Sequence, residues 1–236
     1  MSNKRSNTSK TVINTAIING ISNNNFYGVL GNMKIVSAFL LLLGTLQVVT
    51  GEATILSIFT LMAAPIISIL AISSMRKEGA SKWTKYKLTL PVRRRHIVKS
   101  QYVSHLLCSS AGVVFATIFM ALTVLIHGNI YFYYGFRDAV TLVLGGWVLS
   151  ALIGEIAYPL YYLWGEEKTE VILVLSVIGA ICIIFGISLG INFLTGNEGV
   201  SDAVYYISLI LILIITAIAE ICSYVFAVRI FESKEY

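Results

Sequence analysis

Charge is what this sequence has least of. Only 12% of its residues are Asp, Glu, Lys or Arg, against about 25% in a water-soluble domain, whose surface must stay polar. Such scarcity excludes a chain that has water as its main solvent. Cysteine is equally sparse. Cys108, Cys182 and Cys222 stand apart without C-x-x-C spacing, and each reads as a small apolar packing residue rather than half of a disulfide or a metal ligand. Also missing are the G-x-x-x-x-G-K-[ST] phosphate loop, the G-x-S-x-G elbow and the H-E-x-x-H pair, which excludes the nucleotide, esterase and zinc-protease chemistries those motifs carry. No internal repeat is visible, and no cofactor or metal is expected on this chain.

What the sequence has in abundance is apolar length. Hydrophobic residues make up 57% of it and the mean hydropathy is +0.81. Crossing the roughly 30 Å hydrocarbon core takes about 20 apolar helical residues at about 1.5 Å each. Six runs of low charge are predicted as spans: Ile35 to Val49, Ile55 to Ser74, Val103 to Ile126, Ala139 to Leu163, Val171 to Leu194 and Ala203 to Val228. They are continuous rather than alternating, so their backbone hydrogen bonds must close within each segment, and the predicted fold is an all-α integral membrane protein. The chain divides into a polar segment 1–34, a six-span domain 35–228 interrupted by a hydrophilic stretch 75–102, and a short tail 229–236. Met1 to Asn32 lacks the compact pattern of a secretory signal and is expected to remain on the mature chain.

Lys and Arg favour the cytoplasmic side of short loops. Here Lys4, Arg5, Lys10 and Lys34 precede span one, Arg76 to Lys99 carries most of the remaining cations, Lys168 follows span four, and Arg229 and Lys234 follow span six. Arg137 alone falls on the other side, where the loops hold Glu52, Asp138, Glu198 and Asp202. An even number of spans with both ends inside satisfies every segment, and the expected location is the inner (plasma) membrane. The net charge of +5 therefore reports orientation, and with no sizeable soluble surface to display it, nucleic acid is not an expected partner. Membrane lipid is. Tyr131, Phe132, Tyr133, Tyr134 and Phe136 on the opposite side suit the headgroup layer.

Within Met75 to Tyr102, Trp83, Tyr86 and Leu90 recur at helical spacing beside Lys82 and Lys85, which predicts a short amphipathic helix ended by Pro91. On physics alone it is as well suited to lying on anionic headgroups as to anything else. The run Leu90-Pro91-Val92-Arg93-Arg94-Arg95-His96-Ile97-Val98, with Trp83 and Tyr86 before it and Ser100 and Tyr102 after it, resembles the W..Y..LPV.R..IV.S.Y stretch of type-2 ATP-binding-cassette (ABC) permeases. Within that family it is most similar to small permeases that include phenol-soluble modulin exporters. Pro159 to Lys168 is similar to the family's P-aromatic-G-x-E-K signature, although Thr169 and Glu170 follow where relatives often carry a basic residue. The resemblance implies a six-span permease that is not itself an enzyme. ATP and Mg would be held by a separate ABC ATP-binding subunit, a second permease subunit would complete a dimer, and Lys82, Trp83, Tyr86, Leu90 and Pro91 would form a coupling helix docked on the ATPase. It also implies export of an amphipathic peptide or a toxic small molecule.

A carboxylate at mid-membrane costs several kcal/mol unless paired, protonated or facing water. Glu155 and Glu220 lie at similar depth, about 12 Å from the cytoplasmic ends of spans four and six by the helical rise. They are candidates for an intramembrane substrate pathway taking a cationic amphipath; the bland alternative is that each is protonated or hydrogen-bonded and fixes packing. His105, just inside span three, is a candidate partner for one of them or a satisfied interfacial histidine. Gly146, Ser150 and Gly154, and likewise Cys182, Gly186 and Gly190, recur at four-residue steps and read as helix contact faces, within one subunit or across a dimer. Pro65 predicts a kink in span two. Two other classes compete with the exporter: a substrate-binding membrane module or channel without ATPase contact, and an intramembrane enzyme built on Glu155, Glu220 and His105.

Overall fold

The computed structural model describes residues 20, 33–80, 93–128, 131–132, 135–195 and 201–234, without the side chains of 77–80 and 194–195. Among the described residues six helices are long and apolar enough to cross a membrane: α1 (Met33–Thr50), α2 (Ala53–Ala80), α3 (Arg94–His127), α4 (Phe136–Trp164), α5 (Thr169–Thr195) and α6 (Asp202–Ser233). A single 3-10 turn, Glu166–Lys168, joins α4 to α5. Gly165 stops α4: its backbone sits at φ 85°, where a side chain would be strained, and its N–H still reaches Tyr161 O at 2.9 Å. Pro65 and Pro159 both lie within helices, and α5 runs unbroken through Gly186 and Gly190.

The predicted spans correspond one for one to these helices, but three boundaries need correcting. Helix α2 continues past Ser74 to Ala80, α3 begins at Arg94 rather than Val103, and α6 runs beyond Val228 to Ser233. Much of the stretch expected between spans is therefore helix that extends them. Hydropathy registers contact with lipid, whereas these extensions are held by one another: Met75, Ile97, Val98, Tyr102 and Phe231 are all buried in one core cluster with Tyr158, Tyr161 and Tyr162 of α4. The amphipathic residues Lys82, Trp83, Tyr86, Leu90 and Pro91 lie outside the described residues, as do most of segment 1–34 and the last two residues of the tail.

The ends of the helices alternate as the span count requires. Arg76 at the end of α2 pairs with Glu170 at the start of α5. Arg94 at the start of α3 donates to the carbonyls of Phe231, Glu232 and Lys234 at 3.2, 3.2 and 2.7 Å, capping the end of α6, while Lys234 Nζ reaches Leu163 O of α4 at 3.3 Å. We refer to this as the basic end. At the opposite end Arg137 of α4 pairs with Asp202 of α6 at 2.7 Å.

Helix α4 is the hub, packing on α2, α3, α5 and α6. Lipid tails are as apolar as leucine, so helices gain little from hiding apolar side chains from lipid and must approach closely to win dispersion contacts and hydrogen bonds. Small residues allow that approach. A Cβ at Gly112 of α3 would fall 2.7 Å from Ala64 Cα of α2, one at Gly146 of α4 would fall 2.8 Å from Leu61 O, and one at Gly154 would fall 2.8 Å from His105 Nδ1. Between them Ser150 of α4 bonds Ser109 of α3, and His105 Nε2 meets Ser68 Oγ of α2. The Gly146, Ser150, Gly154 stripe is thus a contact within one subunit. The Cys182, Gly186, Gly190 stripe is not: a Cβ at either glycine meets nothing within 4 Å, and Cys182 is exposed. Of the cysteines only Cys108 is a packing residue, since Cys222 is also exposed; their apolar character suits lipid as well as a core, which is why composition could not separate the two. Helix α1 joins the bundle through Gln47 Nε2, which donates to Thr123 Oγ1 at 3.0 Å, and through Gly44, which seats the Phe119 ring.

Gly154→Ala is expected to lower thermal stability in detergent by about 1 to 3 kcal/mol, the usual range for overpacking a tight contact. Combining it with His105→Ala should recover part of the loss. Simple additivity of the two in unfolding scans would show that the residues do not compete for the same space.

Candidate functional site

Glu155 of α4 and Glu220 of α6 lie within electrostatic range of each other on two helices that pack together. This follows from the contact of α4 with α6, two helices that run the same way. Glu155 is 9% exposed and Glu220 half-buried. Glu155 Oε1 is buried with no hydrogen-bond partner among the described residues. In a low-dielectric setting that is an unfilled acceptor, and such atoms usually meet a proton, water or a ligand.

The walls of this carboxylate pair are aromatic and hydroxylic. Ser223 of α6 donates to the Glu155 backbone carbonyl at 2.6 Å, which uses its only proton; the Tyr102 hydroxyl, 2.7 Å away, must therefore donate to Ser223 Oγ. Tyr102 stacks near Tyr158 and Tyr224 with ring centroids 4.7 and 5.7 Å apart. Its own position places it within electrostatic reach of both carboxylates. Above this pair Tyr162 donates to Gln101 Oε1, and Tyr161 OH donates to Met75 O at 3.1 Å. The aromatic stretch Tyr158 to Tyr162, legible as part of a signature, thus fastens α4 to the ends of α2 and α3.

Among the described residues His105 bonds neither carboxylate. It is fully buried, bonded to Ser68 and set edge-on to Tyr158 at 5.5 Å. The histidine is thus satisfied by Ser68 and packed inside the bundle rather than paired with an acid. Ser223 and Arg94 were not singled out as site residues from the sequence. Ser223 follows Glu220 by three residues and so shares its face, a signal that spacing alone offered; the cap by Arg94 joins positions too distant in sequence to be read.

Residues 23–232 match the sequence profile described as ABC-2 family transporter protein, and the chain belongs to that family. No curated protein and no solved structure gives a significant match. The protein is accordingly a multi-pass membrane protein and a permease component of an ABC transporter. It is a transport component rather than a catalyst, and the family implies an ATP-binding partner.

Ser223→Ala is expected to destabilise the permease by about 1 to 3 kcal/mol, because it leaves the buried Tyr102 hydroxyl without an acceptor. Tyr102→Phe in the same chain should restore part of that. Melting temperatures of the three variants in one detergent check this, and a double variant no better than Ser223→Ala would exclude it.

Proposed function

We propose that this chain is the membrane half of an exporter at the plasma membrane, with both termini and the 75–102 segment in the cytoplasm. It pairs with a second permease subunit and with two ATP-binding subunits. The cargo is a cationic amphipath, a peptide or a small toxic molecule carrying an amine, and Glu155 with Glu220 forms its cytoplasm-facing receptor. The observation that carries this reading is the buried Oε1 of Glu155, without a hydrogen-bond partner among the described residues and within electrostatic range of a second carboxylate. An ammonium group would satisfy both acids and the Tyr102, Tyr158 and Tyr224 rings would receive its apolar part, in part through cation–π attraction.

Coupling would run through Lys82, Trp83, Tyr86 and Leu90, with Pro91 ending the helix they form. Nucleotide binding closes the partner pair and favours one permease conformation to the extent that it binds that conformation better. Helices α2 and α3 flank the coupling segment, and the Arg94 cap on α6 offers a direct route from it to the helix that bears Glu220. A module or channel working without ATPase contact would need neither the aromatic pair nor that cap.

Co-expressed with its ATP-binding subunit and purified in detergent, the wild-type chain should bring down an active ATPase. Trp83→Ala/Tyr86→Ala should lose it, and loss of neither partner nor activity would refute the coupling role. Glu155→Gln/Glu220→Gln should keep the complex and its basal ATPase while abolishing cargo-stimulated turnover by roughly tenfold or more, the loss of one charge-assisted contact. Undiminished stimulation by cationic amphipaths would remove the receptor role.

A further inference from the structure

Helices α3 and α6 run antiparallel and are tied at two levels. Beside Glu155, the Tyr102 hydroxyl of α3 donates to Ser223 Oγ of α6 at 2.7 Å. At the basic end, Arg94 of α3 donates to the carbonyls of Phe231, Glu232 and Lys234 at 3.2, 3.2 and 2.7 Å. From Arg94 to Tyr102 is eight residues of α3, and from Ser223 to Phe231 is eight residues of α6. The two ties therefore belong to one register and stand about 12 Å apart along both helices. A single tie between two rods is a pivot, whereas two ties hold them as one body.

The outer tie is suited to arginine. The last carbonyls of a helix have no partner within it, and the aligned peptide dipoles leave them partly negative. A planar guanidinium with fixed donor directions can meet several of them at once, which the point charge of a lysine on its flexible stem does not reproduce. Arg93 and Arg95 on either side are exposed, and Arg94 alone of the three turns inward, its guanidinium 5.9 Å from the ring centroid of the buried Phe231. The end of α6 also meets α4, through the Phe231 ring at 4.9 Å from Tyr162 and through Lys234 Nζ on Leu163 O at 3.3 Å. Ring faces can slide over each other and a lysine stem can follow its acceptor; the fork on three carbonyls is directional. The pair that joins α2 to α5, Arg76 with Glu170, is exposed on both sides, and surface pairs of that kind contribute little. Of the two helices that flank the coupling segment, α3 thus has the firmer polar grip on an outer helix.

We propose that Arg94 is the positioning residue that makes α6 follow α3, an inference that rests on the coupling role of segment 75–102. When that segment moves the start of α3, the fork on Phe231, Glu232 and Lys234 carries the end of α6 with it. Ser223, three residues from Glu220 and bonded to the Glu155 carbonyl, delivers the displacement to the carboxylate pair. Without the fork, α6 turns about the bond between Tyr102 and Ser223, and Glu220, lying close to that pivot, stays where it was.

Hydrogen exchange followed by mass spectrometry tests this on the full-length chain co-purified with its ATP-binding subunit, compared without nucleotide and with ATP plus vanadate to trap the closed partner pair. In wild type, peptides from the start of α3 (94–102) and from the end of α6 (220–233) should both change exchange rate on trapping, by roughly tenfold, the worth of one charge-assisted hydrogen bond. In Arg94→Gln the response of 94–102 should persist and that of 220–233 should vanish. Arg94→Lys, which keeps the charge but not the fork, should weaken the α6 response and serves where Arg94→Gln does not assemble. Arg76→Gln should respond as wild type does. A merely structural cap would raise exchange at 220–233 in both states and leave the nucleotide-dependent difference intact. That result, a full α6 response in either Arg94 variant, its loss in Arg76→Gln, or a wild-type response confined to α3 would overturn the proposal and leave the coupling reading in place. No response at 94–102 in wild type would remove the coupling reading and this inference with it.

Discussion

The close contact of α2, α3 and α4 is the constraint on which everything else in this molecule rests. With no hydrophobic gain to be had between lipid-solvated helices, the bundle is held by what small residues permit: backbone at van der Waals distance at Gly112 and Gly146, and side-chain hydrogen bonds made in the space so freed. Ser68, Ser109, Ser150 and His105 would each be a burden in hydrocarbon if separated. Gathered at one crossing, they satisfy one another, and the three helices become a rigid block. Helices α5 and α6 are attached to that block chiefly through α4, with further contacts of α5 to α2 and of α6 to α3, and keep most of their own surface exposed.

That division of labour explains where polar chemistry sits. The carboxylate pair lies at the seam between the rigid block and α6, with Ser223 bridging the two by its bond to the Glu155 carbonyl. A seam is where relative movement of two bodies changes geometry most. Placing two like charges there makes their separation depend on how α6 sits against α4, and any cation between them would respond to the same displacement.

How far the sequence could be read follows the same physics. The six spans were legible because lipid imposes length and continuity on every helix that crosses it. The neighbourhood of Glu155 and Glu220 was legible in part, because helical rise is constant, although α6 runs past Val228 to Ser233 and shifts the count on one side only. The extensions at Ile97 and Phe231 were not, because polar and basic residues surround the apolar ones that anchor them, and hydropathy averages the two away. Nor could the two small-residue stripes be told apart: Gly154 is distinguished from Gly190 only by the ring of His105 lying against it, a tertiary fact. Arg137 illustrates the remaining gap, since as the single cation on its side it read only as an exception to a charge rule, while its pairing with Asp202 and its place over the Tyr205 ring depend on how α4 meets α6.

Helix α3 is 34 residues long, about 51 Å at the helical rise, and the close approach of Gly112 to Ala64 falls near its middle. Were its other contacts to give way more readily than this one, the rod would tilt as a seesaw. An inward push at Arg94 becomes an outward swing of similar size at His127, about 2 Å for each 5° of tilt over arms of about 22 to 27 Å. Because Arg94 also clasps the end of α6, that same tilt would draw α6 along at one face of the membrane while loosening the bundle at the other. A single stiff helix with a glycine fulcrum can thereby exchange which side of the bundle is narrow, without bending and without unwinding a turn.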